Sequence, residues 1–266
     1  MAFWGKSFAF NGIPCEDFDL MLYNIGEHSH SAGKFATGMT IVEEKLASRW
    51  KPIFYGTKNE NKLEFTIVFG ADPRRVDEHK HLNRYELAEI ANWLTGHNQY
   101  LWLDIEQDDM EYVRYNCIIT DLEMIEYGMM PWALTAKVTC DSPYGYLFPQ
   151  TFEYNINGAT VVDFYNESGH IGYYHPQLEI VNSSAEFSII NHSDKDRTFT
   201  FTGLPGLGET INVDCDLGLI GCSTGDNLYA GCNFNFLRLV NGHNNLEITG
   251  HCTLRITCAF PVNVGG

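Results

Sequence analysis

Apolar and polar residues alternate one by one along most of this chain. The runs 63–69 (LEFTIVF), 100–105 (YLWLDI), 115–120 (YNCIIT), 134–139 (LTAKVT), 185–190 (AEFSII), 197–203 (RTFTFTG), 234–240 (FNFLRLV), 245–250 (NLEITG) and 252–258 (CTLRITC) share a period of two. Successive strand side chains point to opposite faces, so this alternation, rich in β-branched and aromatic residues, predicts half-buried antiparallel strands. Gly, Asn and Asp punctuate the runs. NG at 157–158 and 241–242, TGD at 224–226 and GLPGLGE at 203–209 predict turns.

The period changes once. Across Asn83–Gly96 (NRYELAEIANWLTG), Leu87, Ile90, Ala91 and Leu94 fall at i, i+3, i+4 and i+7, the apolar stripe of a helix. Asn83 with Glu86 three residues later predicts a capping box, and Gly96 is placed to end the helix. A single amphipathic helix among strands should cover the open face of a sheet. The second half shows no helical period and reads as roughly ten short strands, the pattern of a sandwich or jelly roll. The fold class is therefore mainly β, with an α+β first domain. The stretch DSPYGYLFPQ, carrying Pro143 and Pro149, marks a boundary, which gives domains 1–148 and 149–266.

Composition narrows the function. An apolar fraction of 44% in 266 residues is ordinary for a globular protein and excludes wholesale disorder. Seventeen basic against 34 acidic residues leave a net charge of −17. The excess is shared: residues 1–148 hold 13 basic and 22 acidic, residues 149–266 hold 4 and 12. Without a basic stripe, tight binding to phosphate backbones is not expected; an acidic surface instead lets nucleic acid pass without sticking. The first residues alternate like a strand and lack the apolar block of a signal peptide, and no run approaches the roughly 18 apolar residues of a membrane helix. The chain is expected to stay in the cytoplasm where it is made. Six of eight Cys (Cys140, Cys215, Cys222, Cys232, Cys252, Cys258) lie among strands and read best as reduced, buried thiols, with disulfides or metal as the weaker readings.

Candidate chemistry is sparse. DEHKH (77–81) places His79 and His81 two apart, with no second ligand cluster to complete a metal site. Asp108 and Asp109, in the acidic run 104–112, read as a hairpin tip, since a calcium loop needs alternating oxygen ligands around a Gly. Cys140 beside Asp141 raises a nucleophile, but no base is near in sequence. GLPGLGE lacks the following helix that would cradle phosphate. No catalytic residue, metal or cofactor is therefore expected. Sugar recognition by the second half is the alternative reading. All five Trp (Trp4, Trp50, Trp93, Trp102, Trp132) lie in the first half, leaving Tyr and Phe, such as Tyr173 and Tyr174, for stacking, with NGHNN (241–245) offering polar groups.

Several stretches, taken together, resemble the distal tail proteins (Dit) of siphophages. They are FAFNGIPCEDFDLML at the start, PIFYG and LEFTIVFG (52–70), LAEIANWLTG, TCDSPYGY, HPQLEIVN, FTFTGLPGLGETINVD, FNFLRLVNGHNNLEITG and CTLRIT, in the family's order along effectively the whole chain. The resemblance implies a first domain with a small sheet, a helix and an extended hairpin, then a galectin-like β-sandwich. It implies a homohexameric ring in the baseplate at the virion's tail tip, assembled in the host cytoplasm. The ring would join the tail tube protein to the tail-associated lysin or fibre protein, in some phages also to receptor-binding proteins, while DNA passes through its channel. The length leaves no room for large carbohydrate-binding insertions, and a galectin's stacking Trp is missing from the second half. Heterologous contacts that close by rotation need an adhesive element. The expected one is a hairpin from Trp50 to Phe69, with Trp50, Phe54, Tyr55, Leu63, Phe65 and Ile67 at the ring interface, and with Pro143, Tyr144 and Tyr146 packing the joint between domains.

Overall fold

The computed structural model describes residues 5–23, 39–59, 62–74, 81–107, 110–170, 172–204 and 208–264. Two compact units emerge, Met1–Tyr146 together with Asn263–Gly266, and Leu147–Val262. In the first unit lie β1 (Gly5–Phe10), β2 (Ile13–Pro14), β3 (Leu20–Leu22), β4 (Met39–Glu44), β5 (Ile53–Asn59) and β6 (Glu64–Ala71). They are followed by α1 (Arg84–Thr95), β7 (Leu101–Gln107), β8 (Val113–Tyr127), β9 (Met130–Cys140) and the short β10 (Gly145–Leu147), whose last residue is the first of the second unit. The main sheet runs β2-β1-β7-β8-β9-β6-β3, with antiparallel neighbours throughout.

The helix forms as its sequence predicts. Asn83 Oδ1 accepts from the backbone N–H groups of Tyr85 and Glu86 at 2.9 and 3.1 Å, and Glu86 Oε2 accepts from the Asn83 N–H at 2.7 Å. These are the reciprocal bonds of a capping box, satisfying donors that an α-helix leaves unpaired. Ile90, Trp93 and Leu94 are buried, while Leu87 and Ala91 are half-buried. The anchor is Trp93, which the apolar spacing alone does not single out. Its ring stacks on Phe8 (5.6 Å) and Phe18 (4.5 Å), and its Nε1–H donates to the Phe10 carbonyl at 3.2 Å. A buried indole needs such an acceptor, and β1 supplies it.

The second unit comprises β11 (Gln150–Asn166), β12 (Gln177–Asn182), β13 (Glu186–Asn191), β14 (Arg197–Thr202), β15 (Glu209–Asp214), β16 (Leu219–Cys222) and β17 (Gly242–Cys258). Strand β17 organises the others. Along one edge it pairs with β11 in unbroken register from Gln150↔Cys258 to Asn166↔Gly242. Along the other it pairs first with β13 (Ile248↔Ile189) and then with β12 (Leu254↔Ile180). Its residues Asn244, Leu246, Ile248, Gly250, Cys252, Leu254, Ile256 and Cys258 are all buried. Both halves of the strand thus feed one apolar core, which requires the sheet to fold over at its middle. Gly158 and Gly250 stand opposite each other there, at φ +90° and +149°, conformations that side chains disfavour. The sequence predicts a turn at NG 157–158 and two strands over 245–258. Instead both segments run straight through, and the glycines bend one continuous ribbon.

The run 234–240 departs from prediction in the opposite sense. It alternates and buries Leu237 and Leu239, yet it is not a strand; only Leu239 makes an isolated bridge, with Tyr174. Side chains take the place of a neighbouring strand. The carbonyls of Phe236, Arg238 and Val240 accept from Arg197 Nε (3.1 Å), Asn191 Nδ2 (2.9 Å) and Asn166 Nδ2 (3.0 Å). Asn244, fully buried, accepts from the Val240 N–H and donates to the Val240 and Gly242 carbonyls, fixing the turn into β17. Arg238 clamps the buried Asp194 through Nε (2.6 Å) and Nη2 (3.1 Å), with its guanidinium 3.7 Å from the centre of the Tyr173 ring. Those bonds hold the Asp194 carboxyl below its ordinary range.

Two outcomes follow. Gly250→Ala places a Cβ 3.3 Å from the Glu186 carbonyl at a φ that disfavours it, costing about 1–3 kcal/mol, whereas Gly158→Ala meets no atom and costs less; chemical denaturation reads both. Asp194→Asn breaks a buried clamp whose Arg238 end reaches solvent, costing about 2–3 kcal/mol at neutral pH. Because the folded carboxyl is shifted down, its contribution is complete above the ordinary carboxylate range and lost as pH falls through the folded value. Wild-type and variant stabilities should therefore converge in acid, measured as denaturation midpoints from pH 7 down to about 3.

Candidate assembly surface

Strands β4 and β5 form a two-stranded sheet of their own, in register from Met39↔Asn59 to Glu44↔Ile53 with a bulge after Val42. A lone hairpin is marginal in water because it has no second layer on which to bury its apolar side chains. This arm leaves them in solvent: Trp50 is 85% exposed, Phe54 63%, Tyr55 61% and Ile41 60%. Lys51 Nζ sits 4.4 Å from the Trp50 ring centre, and the Tyr55 hydroxyl donates to Glu44 Oε2 at 3.2 Å. Clustered exposed aromatics of this kind are what interface hot spots are made of.

The expected hairpin from Trp50 to Phe69 is corrected here. Strand β5 pairs upstream with β4, whereas β6 pairs with β9 in the main sheet. The alternation in 63–69 turns Leu63, Phe65 and Ile67 inward, where they are 2%, 7% and 2% exposed. Phe65 packs edge-on against Tyr115. These three are core residues of the first unit, so the candidate contact set contracts to Trp50, Phe54 and Tyr55, joined by Ile41.

The octet TCDSPYGY holds a hydrogen-bond knot and no reactive site. Cys140 is fully buried at the end of β9, opposite Cys117 on β8. Burial pushes the Cys140 thiol up to about 12 and Cys117 higher still. The Asp141 carboxylate accepts from Asn116 Nδ2 (2.9 Å) and the Tyr146 hydroxyl (3.1 Å), and Ser142 Oγ lies 2.8 Å from that hydroxyl. The Tyr146 ring meets Trp102 edge-on at 5.6 Å, so within the first unit it locks β10 to the sheet. Pro143 and Tyr144, half-buried, complete the turn, where the Tyr144 N–H donates to Ser142 Oγ at 3.3 Å.

Other sequence candidates do not converge. His79, Asp108 and Asp109 lie outside the described residues, as do 205–207 of GLPGLGE; His81 is half-buried. Among the described residues no cluster of His, Cys, Asp or Glu could hold a metal. In the second unit a groove of about 420 Å³ runs over β12, β15 and β16. It is lined by polar groups such as Gln177, Glu179, Asn212 and Asp214 but by no aromatic ring, so a sugar would find nothing there to stack on. Tyr173, one of the two tyrosines offered for stacking, is occupied by Arg238, and the Tyr174 hydroxyl accepts a hydrogen bond from the Ala259 backbone N–H at 2.7 Å. The Asp194–Arg238 clamp escapes sequence reasoning because its partners lie 44 positions apart; only Arg238, within the resemblance, carried a signal.

The described residues thus form a helix-covered sheet with a separate two-stranded arm, and a mostly β unit folded about one long ribbon. Two protein-family models identify the kind, a phage tail protein N-terminal domain over residues 3–142 and a phage tail C-terminal domain over residues 144–258. The chain belongs to this phage tail protein family and is a structural component of the virion tail. No curated protein matches it in sequence. Its fold is similar to that of the SPP1 Dit protein, described as a paradigm of hub adsorption apparatus in Gram-positive infecting phages, with TM-score 0.65, 13% identity, and 96% of this chain and 98% of that one covered. It is also similar to a chain of the phage P2 baseplate in its activated conformation with Ca, with TM-score 0.52, 9% identity, and 95% and 97% covered. The Sr form of that baseplate gives 0.53, 9%, and 96% and 97%.

Burial makes a prediction about the eight free thiols, of which only Cys222 is less than fully buried. A thiol reagent added to the native chain at neutral pH should label at most Cys222 within minutes, while denatured chain labels at all eight. Rapid native labelling of Cys140 would show that its environment is open after all.

Proposed function

We propose that this phage tail protein is a distal tail hub: a homohexameric ring at the tail tip that joins the tail tube protein to the tail-associated lysin or fibre protein. Receptor-binding proteins could dock at its periphery, and DNA would pass through its channel without specific binding. One observation carries the reading. The β4–β5 arm exposes Ile41, Trp50, Phe54 and Tyr55 on a ribbon that cannot bury them within its own sheet. A ring supplies the missing layer, because each subunit gives its arm to one neighbour and receives another in return. The likeness of the fold to the SPP1 Dit and P2 baseplate chains supports the same role. The net charge of −17 suits a passage that must not retain DNA.

Sedimentation velocity and negative-stain electron microscopy of the purified chain test the ring. Phe54→Ala combined with Tyr55→Ala should weaken subunit association by at least about a hundredfold, since each is a candidate anchor worth about 2 kcal/mol or more. The circular dichroism spectrum should stay that of the folded subunit. A wild-type chain that remains monomeric at high concentration counts against the hub, and rings that persist in the double variant exclude the arm as the contact.

A further inference from the structure

The arm needs a receiving surface, and the far end of the β8–β9 ribbon has the matching chemistry. Neither β7 nor β6 accompanies this end: β7 pairs with β8 only up to Cys117, and β6 pairs with β9 from Ala133 onward. Its exposed side chains include a group of large apolar ones, with Met129 91% exposed and Met124, Met130 and Trp132 each at least 40%. Methionines make an adaptable contact surface, and Trp is the commonest hot-spot residue. The turn itself is costly. Gly128 and Met129 both take positive φ, +62° and +64°, as a two-residue hairpin turn demands, yet the second position holds Met where Gly or Asn would fit with less strain. A strained, fully exposed apolar residue at a ribbon's tip points to a partner.

Charge says which partner. Residues 121–132 carry Asp121, Glu123 and Glu126 and no basic residue. The arm is the opposite: in a chain of net charge −17, residues 39–59 hold Lys45, Arg49, Lys51 and Lys58 against Glu43 and Glu44. The arm is thus basic and aromatic, the ribbon end acidic and Met-rich, and both are exposed. We propose that the β4–β5 arm of one copy docks on the β8–β9 ribbon end of the next, with Trp50 and Phe54 against Met129 and Trp132, and the arm's cations against Glu123 and Glu126. The contact joins two different surfaces, so it is head-to-tail and can propagate around a closed ring. This contact rests on the ring reading above. It also predicts that salt weakens assembly, since its rim is an exposed set of ion pairs.

Charge exchange tests it on the full chain. Glu123→Lys with Glu126→Lys should weaken association at least tenfold, and so should Arg49→Glu with Lys51→Glu. All four substitutions together should restore most of it, because the pairs reform with reversed sign. Every substituted residue is exposed, and the circular dichroism spectrum checks that each variant folds. Rings indifferent to the Glu123/Glu126 reversal, or a fourfold variant no better than the doubles, overturn this contact while leaving the ring intact. A wild-type chain that never associates overturns the ring reading and this contact with it.

Discussion

A β-strand presents backbone donors and acceptors along both edges, and in a buried sheet each must find a partner. The second unit meets this demand around β17, whose two edges are occupied by β11 on one side and by β13 and β12 in succession on the other. One strand with strict inward alternation thereby sets the register of three others. A one-residue slip would turn its whole apolar row outward. Where the chain offers no further strand, at 234–240, amide and guanidinium side chains complete the pattern. Asn166, Asn191, Asn244 and Arg197 are therefore structural residues in the same sense as the core leucines.

The elements that alternate or repeat locally were legible in the sequence. Helix α1 with its Asn83–Glu86 box, the strands around 63–69, 134–139 and 185–190, and the buried thiols all follow from local patterns. What was not legible depends on distant partners. NG at 157–158 reads as a turn because Asn-Gly usually is one; only Gly250 opposite it reveals a bend in a ribbon. The run 234–240 has a strand's periodicity, yet its ladder is replaced by side chains from β11, β13, β14 and β17. Leu63, Phe65 and Ile67 alternate as a buried edge or an adhesive edge would, and the pairing of β6 with β9 is what decides between the two.

The same limit separates the two surfaces invoked for assembly. Trp50, Phe54 and Tyr55 were visible as aromatic anchors in an otherwise polar stretch. The ribbon end at 121–132 was not, because nothing in its sequence says that β6 and β7 stop short of it. The uneven placement of charge matters as well. A uniformly acidic protein would repel its own copies at close range, so under the proposed contact the cations on the arm would give identical subunits a way to attract each other.

The order of the strands along the chain has a consequence for biosynthesis. Strand β17 follows every strand it pairs with, so β11 through β16 leave the ribosome before the element that organises them exists. Gln150 must wait for Cys258, and such non-local closure is slow compared with local helix formation. Until then only the β13–β14 and β12–β15–β16 pairings are available, and the edges of β11, β12 and β13 that β17 fills stay bare. A prematurely terminated chain therefore lacks the strand that joins β11, β12 and β13 into one sheet.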